Sequence, residues 1–174
     1  MAASPALAVD LAPPAPGRFV WADEGGAGPV AIVVGLAEQR AWVFRGERLV
    51  GVSSVSSGKG GHESPIGRFQ ILEKKAMHRS NRYDDAPMPF MQRLNWFGVA
   101  LHAGRVTGRP ESHGCIRLPA GFAKALFAAT EVGGFVFVTE TPVDGSDAAL
   151  RLAEANRNAP FGGPGRTFTE VAAR

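Results

Sequence analysis

The segment that most constrains this chain is a run of five apolar residues, Val30-Ala31-Ile32-Val33-Val34, closed off by Gly28 and Gly35. Apolarity that is continuous rather than alternating, in so short a run, predicts a strand buried on both faces. Two more β-rich runs follow, Ala41 to Phe44 and Leu49 to Val55, and the polar Arg45-Gly46-Glu47-Arg48 between them predicts a hairpin. Gly58, Gly60 and Gly61 end that group. Ser64-Pro65-Ile66-Gly67 forms a turn, and Arg68 to Leu72, Phe97 to Leu101 and Phe135 to Val138 supply the remaining strands. One segment has helical spacing: Phe122, Leu126 and Phe127 share a face behind Pro119, a residue compatible with a first helical turn. The expected class is mostly β with one helix at the edge.

A chain of 174 residues, 45% of them hydrophobic, is long enough for one well-cored domain and short for two. Residues 1–27 contain Pro5, Pro13, Pro14 and Pro16 among alanines and read as an extended, poorly packed leader; 28–140 form the folded unit; 141–174 are a tail with at best a short helix near Ala148 to Ala155. The small apolar run at the N-terminus lacks a basic n-region and a long h-region, so it is not an intact signal peptide; it reads as the residue of an export signal that has been removed. No stretch approaches the ~18 apolar residues needed to span a bilayer.

From Lys74 to Trp96 neither periodicity holds, and a loop of that length in a compact domain is usually functional. Two readings compete. Its Met and Phe residues could cover a sheet edge, or Tyr83, Met88 and Phe90 could form a lid that excludes water from a site beneath. The second is carried forward.

Nineteen basic residues against sixteen acidic ones give a net charge of +3, scattered rather than gathered into a stripe, which argues against nucleic acid and suits an anionic polymer. The single cysteine excludes an internal disulfide, and no Cys/His cluster has zinc spacing, so no metal is expected. That cysteine lies in Ser112-His113-Gly114-Cys115-Ile116-Arg117-Leu118, which begins eight positions after the end of Leu101-His102-Ala103-Gly104. A thiol is mostly protonated at neutral pH unless a cation or an oriented base assists it. His113, two positions before Cys115, would share its face on an extended backbone, and His102 could reach the same spot across a loop. Gly114 permits a tight path that could aim backbone N–H groups at an oxyanion, and Arg117 suits a carboxylate or an internal ion pair. Ser112 suits a turn hydrogen bond. His62 and His78 lack such company and read as surface residues. These are the parts of acyl transfer through a thioester.

Ser112-His113-Gly114-Cys115-Ile116-Arg117 resembles the signature of the L,D-transpeptidase, or YkuD, catalytic domain. Leu101-His102-Ala103-Gly104 is similar to that family's first histidine segment, with Ala103 where many members have Gly, and Ser64-Pro65-Ile66-Gly67 to its Thr-Pro-x-Gly turn. The resemblance implies a β-sandwich or barrel-like fold with an edge helix, no cofactor, and a monomeric enzyme in the periplasm or cell envelope. It implies acylation of Cys115 by a peptidoglycan stem peptide and resolution by an amine such as that of diaminopimelate, giving 3-3 or 1-3 cross-links. Carbapenem-type β-lactams are the implied inhibitors. His102 becomes the base, its ring oriented by a backbone carbonyl such as that of Ala103, and its imidazolium would lower the Cys115 pKa; His113 would shape the oxyanion loop. Water as acceptor would make the same site an L,D-carboxypeptidase or endopeptidase. A non-catalytic wall-binding module and a cytosolic thiol hydrolase or redox sensor are the readings from other classes.

Overall fold

A computed structural model describes residues 14–81 and 83–161. The start of the leader, with its apolar run, and the last part of the tail lie outside the described residues.

The continuous apolar run forms β2 (Val30–Gly35), buried along its whole length. In the chain before it, β1 (Phe19–Trp21) lies within the segment expected as a leader. After it come the expected hairpin, β3 (Arg40–Arg45) and β4 (Arg48–Ser54), then β5 (Gly67–Gln70). With β10 (Phe135–Thr139) these make a six-stranded sheet in the order β1-β4-β3-β2-β10-β5, where β2 and β10 run parallel. Side chains alternate across a strand, and here both faces are covered. Ala31, Val33, Trp42, Phe44 and Val52 meet Ala149 and Ala153 of the second helix, α2 (Gly145–Asn156). Val30, Ile32, Val34, Val43 and Val50 face the main core, which also takes in Phe122, Ala123 and Leu126 of α1 (Ala120–Ala129).

The second sheet supplies the other wall of that core. It has four short strands, β6 (Glu73–Lys75), β7 (Met91–Arg93), β8 (Ala100–Ala103) and β9 (Ile116–Leu118), in chain order. The strands fall into two separate sheets, so of the two expected architectures the sandwich describes the fold and the barrel does not. The short helix expected near Ala148 to Ala155 is α2, and the small faces of Ala149 and Ala153 let it lie against the outer sheet. Phe19 and Trp21 of β1 pack edge-on against Phe122, with ring centroids 5.8 and 5.4 Å away.

Two local expectations change. Phe97 to Val99 are not strand, because Asn95 Oδ1 accepts from both the Phe97 and Val99 N–H groups at 3.0 Å and folds 95–98 into a turn. The long stretch from Lys74 is not shapeless either: Phe90 and Met88 donate their N–H groups to the Ala76 and His78 carbonyls, each at 2.8 Å, and Ala86 to that of Tyr83. It is a hairpin extending β6 and β7, with its tip near Tyr83. Among the described residues no helix is long and apolar enough to cross a membrane.

Candidate active site

The four-stranded sheet has one face on the core and the other on a cleft. In β8, Leu101 and Ala103 belong to the core cluster, which turns His102 the opposite way; in β9, Ile116 and Leu118 are core and Arg117 is turned out. The two strands are parallel and the ladder sets His102 opposite Arg117. Reciprocal bonds between Ser56 and Arg117 backbones fix β9 to the end of the larger sheet. Cys115 is the residue immediately before β9. After the bridge of Ser112 to Gly58 the chain bends at His113 and Gly114, where Gly114 has φ +114°, a region L side chains avoid. This corrects the expected sharing of one strand face by His113 and Cys115: His113 turns out to the exposed rim while Cys115 is half-buried.

A cleft of about 500 Å³ brings together Cys115, His102, Ala103, Ser112, His113 and Arg117, with Tyr83 and Met88 of the hairpin on its far wall. His102 Nδ1 lies 2.8 Å from the Ala103 carbonyl oxygen. A carbonyl only accepts, so Nδ1 carries the proton and Nε2 is left with a lone pair. Burial holds the imidazole below its ordinary value; the Ala103 carbonyl opposes this, and the charges of Arg117 and His78 reinforce it. Burial pushes the Cys115 thiol up, partly offset by the Ala100 backbone and the charges of Arg117 and Arg93. The thiol donates to the Gly98 carbonyl at 3.4 Å. In the unliganded protein burial thus works against charge on both groups, the thiolate of Cys115 and the imidazolium of His102.

The cysteine loop is held by hydroxyls. Ser112 Oγ donates to the Cys115 carbonyl at 2.5 Å and accepts from Gly114 N–H at 3.1 Å. Ser64 Oγ donates to the Gly114 carbonyl at 2.8 Å and accepts from Gly58 N–H at 2.9 Å. Gly58 has no alternative there, since a Cβ would sit 2.0 Å from the His62 carbonyl oxygen. Gly114 N–H is thus bonded within the loop, to Ser112 Oγ. Arg117 has no carboxylate within ion-pair distance among the described residues, so the internal ion pair considered for it is not formed.

The domain model of the YkuD family, the L,D-transpeptidase catalytic domain, matches residues 29–138, more than half of the chain. The chain belongs to the L,D-transpeptidase catalytic-domain family. No curated relative matches it in sequence. Among solved structures it is similar to an L,D-transpeptidase from Stackebrandtia nassauensis, 27% identical with a TM-score of 0.59, over 68% of this chain and 58% of that one. It also resembles the LD transpeptidase LdtMt1 in complex with imipenem, at 24% identity and TM-score 0.58, over 63% and 58%. A third likeness is to L,D-transpeptidase 3 from Mycobacterium tuberculosis in complex with a faropenem-derived adduct, at 20% identity and TM-score 0.58, over 64% and 60%. The chain spans less than two thirds of the length of each of these structures.

Within this L,D-transpeptidase domain the hairpin stands beside the cysteine loop. The Tyr83 ring stacks on His113 at 4.6 Å and 20°, and His62 meets His113 edge-on at 4.9 Å. Met88 is buried with Met91 and Ala100, and the half-buried Cys115 packs against them. The return arm docks on β8 where Ala103 N–H donates to the Pro89 carbonyl at 2.8 Å. Phe90 does not belong to this wall: it packs into the core, 5.8 Å from the Phe127 ring. Sequence reasoning missed the carbonyl of Gly98, the rim position of His62 and the linking role of Ser64. For Ser64 a signal existed, in the turn that resembles the family's own; for the other two, contacts between distant segments leave no local pattern.

Proposed function

We propose that this domain cross-links peptidoglycan stem peptides in the cell envelope, as a monomer, with Cys115 as nucleophile and His102 as general base. The observation that carries the reading is the contact of His102 Nδ1 with the Ala103 carbonyl. It leaves Nε2 as the proton acceptor in the cleft shared with the thiol. His102 Nε2 takes the thiol proton as sulfur attacks the carbonyl carbon of the donor stem. The tetrahedral adduct collapses with loss of the C–N bond, and the imidazolium protonates the departing amine. The thioester is then attacked by the acceptor amine, such as that of diaminopimelate in a second stem; His102 takes the amine proton, and the thiolate leaves and is reprotonated. The linkage is of the 3-3 or 1-3 type.

With Gly114 N–H bound to Ser112, the oxyanion falls to the Cys115 N–H at the start of β9. Arg117, free of a carboxylate partner among the described residues and opposite His102 in the ladder, takes a substrate carboxylate. Met88 and Tyr83 form an apolar wall that favours an amine over water as acceptor. The test is intact-protein mass after incubation with a carbapenem, the class to which the imipenem bound by a structural neighbour belongs. One adduct is expected on the parent and none on Cys115→Ala, while mass analysis of purified muropeptides incubated with the parent shows cross-linked products. An adduct on Cys115→Ala would overturn the nucleophile, and hydrolysis products alone would overturn transpeptidation.

A further inference from the structure

Arg117 is not the only cation in the cleft. Arg105 also lines it, two residues beyond the end of β8, and like Arg117 it has no carboxylate within ion-pair distance among the described residues. The two are brought together by Gly104: a Cβ there would lie 3.2 Å from Arg117 Cγ and Cδ, so the Arg117 stem lies flat across the residue that precedes Arg105. The β8–β9 ladder, continued by Gly104 N–H donating to the Leu118 carbonyl at 3.0 Å, keeps them so. The cleft is also lined by Pro87, Met88 and Pro89, which carry no charge.

The two arginines differ in their reach. The charges that act on His102 and Cys115 are those of Arg117, His78 and Arg93, and Arg105 is not among them. Arg105 is exposed, whereas Arg117 is half-buried. One guanidinium suffices for one carboxylate. Two guanidiniums lining one cleft without counter-charge raise its positive potential, an arrangement that gains most from a ligand with two anionic groups.

We propose that Arg105 is a specificity residue that binds a second carboxylate of the acyl donor, so that the preferred donor is a peptide with two carboxylates at this end of the cleft. The proposal rests on the transpeptidase reading above. Arg117 holds the carboxylate nearer the scissile bond, and Arg105 the other. Because Arg105 lies outside the reaction centre, its contact is made equally before and during reaction, and its loss is read in KM rather than kcat.

The test uses the full chain and three synthetic stem tetrapeptides: one with all carboxylates free, one amidated at the diamino-acid side-chain carboxylate, and one amidated at the glutamyl carboxylate. For the parent, one of the two amidations should lower kcat/KM for acyl-enzyme formation about fivefold, the scale of a solvent-screened charge contact, with the change in KM. In Arg105→Gln that preference should fall to about one, and Arg105→Lys should restore part of it, as a point charge does. Arg109→Gln, which removes an exposed charge from the same loop outside the cleft lining, should keep the parent's preference. A parent indifferent to both amidations, or an Arg105→Gln protein that keeps the preference, overturns the role of Arg105 alone. A parent acylated by none of the three peptides overturns the transpeptidase reading, and this proposal with it.

Discussion

The two sheets are built from the same kind of residue and do different work. The six-stranded sheet is covered on both sides, by α2 on one and by the main core on the other. It contributes only backbone and the Ser64 and Gly58 turn region to the site. The four-stranded sheet has strands of three or four residues and only one face in the core, which frees the other for His102 and Arg117. Stability thus resides mainly in the first sheet and chemistry in the second, and substitutions should separate the two.

The largest separation is expected at His102. His102→Ala should slow carbapenem acylation by about 10²–10⁴-fold, the usual range for a general base, with little change in unfolding midpoint. In the parent, the rate should rise with pH through the His102 pKa. That value is depressed by burial, so the midpoint of the acid limb should fall below the ordinary 6.5 of a free histidine. The limb should vanish in His102→Ala. His113→Ala should cost less, because the Cys115 N–H survives it. A His113→Ala protein slower than His102→Ala would exchange their roles.

On the other sheet, Phe44→Ala removes a fully buried ring on the face that meets α2. It should destabilise by about 3–5 kcal/mol, as such truncations do, measured by urea unfolding. The acylation rate per folded molecule should stay within about twofold, since the site is on the far side of the core. A matching fall in that rate would show that the division between the sheets is false.

The smallest effect tests the rim. Tyr83→Ala removes the ring stacked on His113, a contact worth about 0.5–1.5 kcal/mol, and should raise the ratio of hydrolysis to transpeptidation by about 2–10-fold without altering the unfolding midpoint. An unchanged ratio in the folded variant would reduce the hairpin to a support for the sheet edge.

What the sequence could show depended on where the determining contacts lie. Burial on both faces writes itself directly into the run Val30 to Val34, so β2 was legible. The helix behind Pro119 was legible from one apolar face, and the family from six consecutive residues around Cys115. The start of β8 was not, because a single Asn95 side chain overrides the β-rich Phe97 to Val99. Phe90 gave a misleading signal: beside Met88 it looks like lid, yet its φ of +54° turns it toward Phe127 and the core. Docking of α2 depends on two alanines, Ala149 and Ala153, whose small size gives little periodic signal. The upward pull on the thiol pKa follows from burial, which no spacing of residues reveals.

Ser64 has a consequence beyond holding a loop. The hydrogen bonds from Gly58 N–H to Ser64 Oγ and from Ser64 Oγ to the Gly114 oxygen run in one direction, and bonds linked in this way polarise one another. The Gly114 oxygen belongs to the same amide as the Cys115 N–H. Electron density drawn toward that oxygen makes this N–H a stronger donor, and in the proposed mechanism it is the group that meets the developing negative charge. A hydroxyl fifty residues away in sequence, touching neither substrate nor thiol, thereby acts through a single conjugated amide to set the strength of the bond on which the transition state depends.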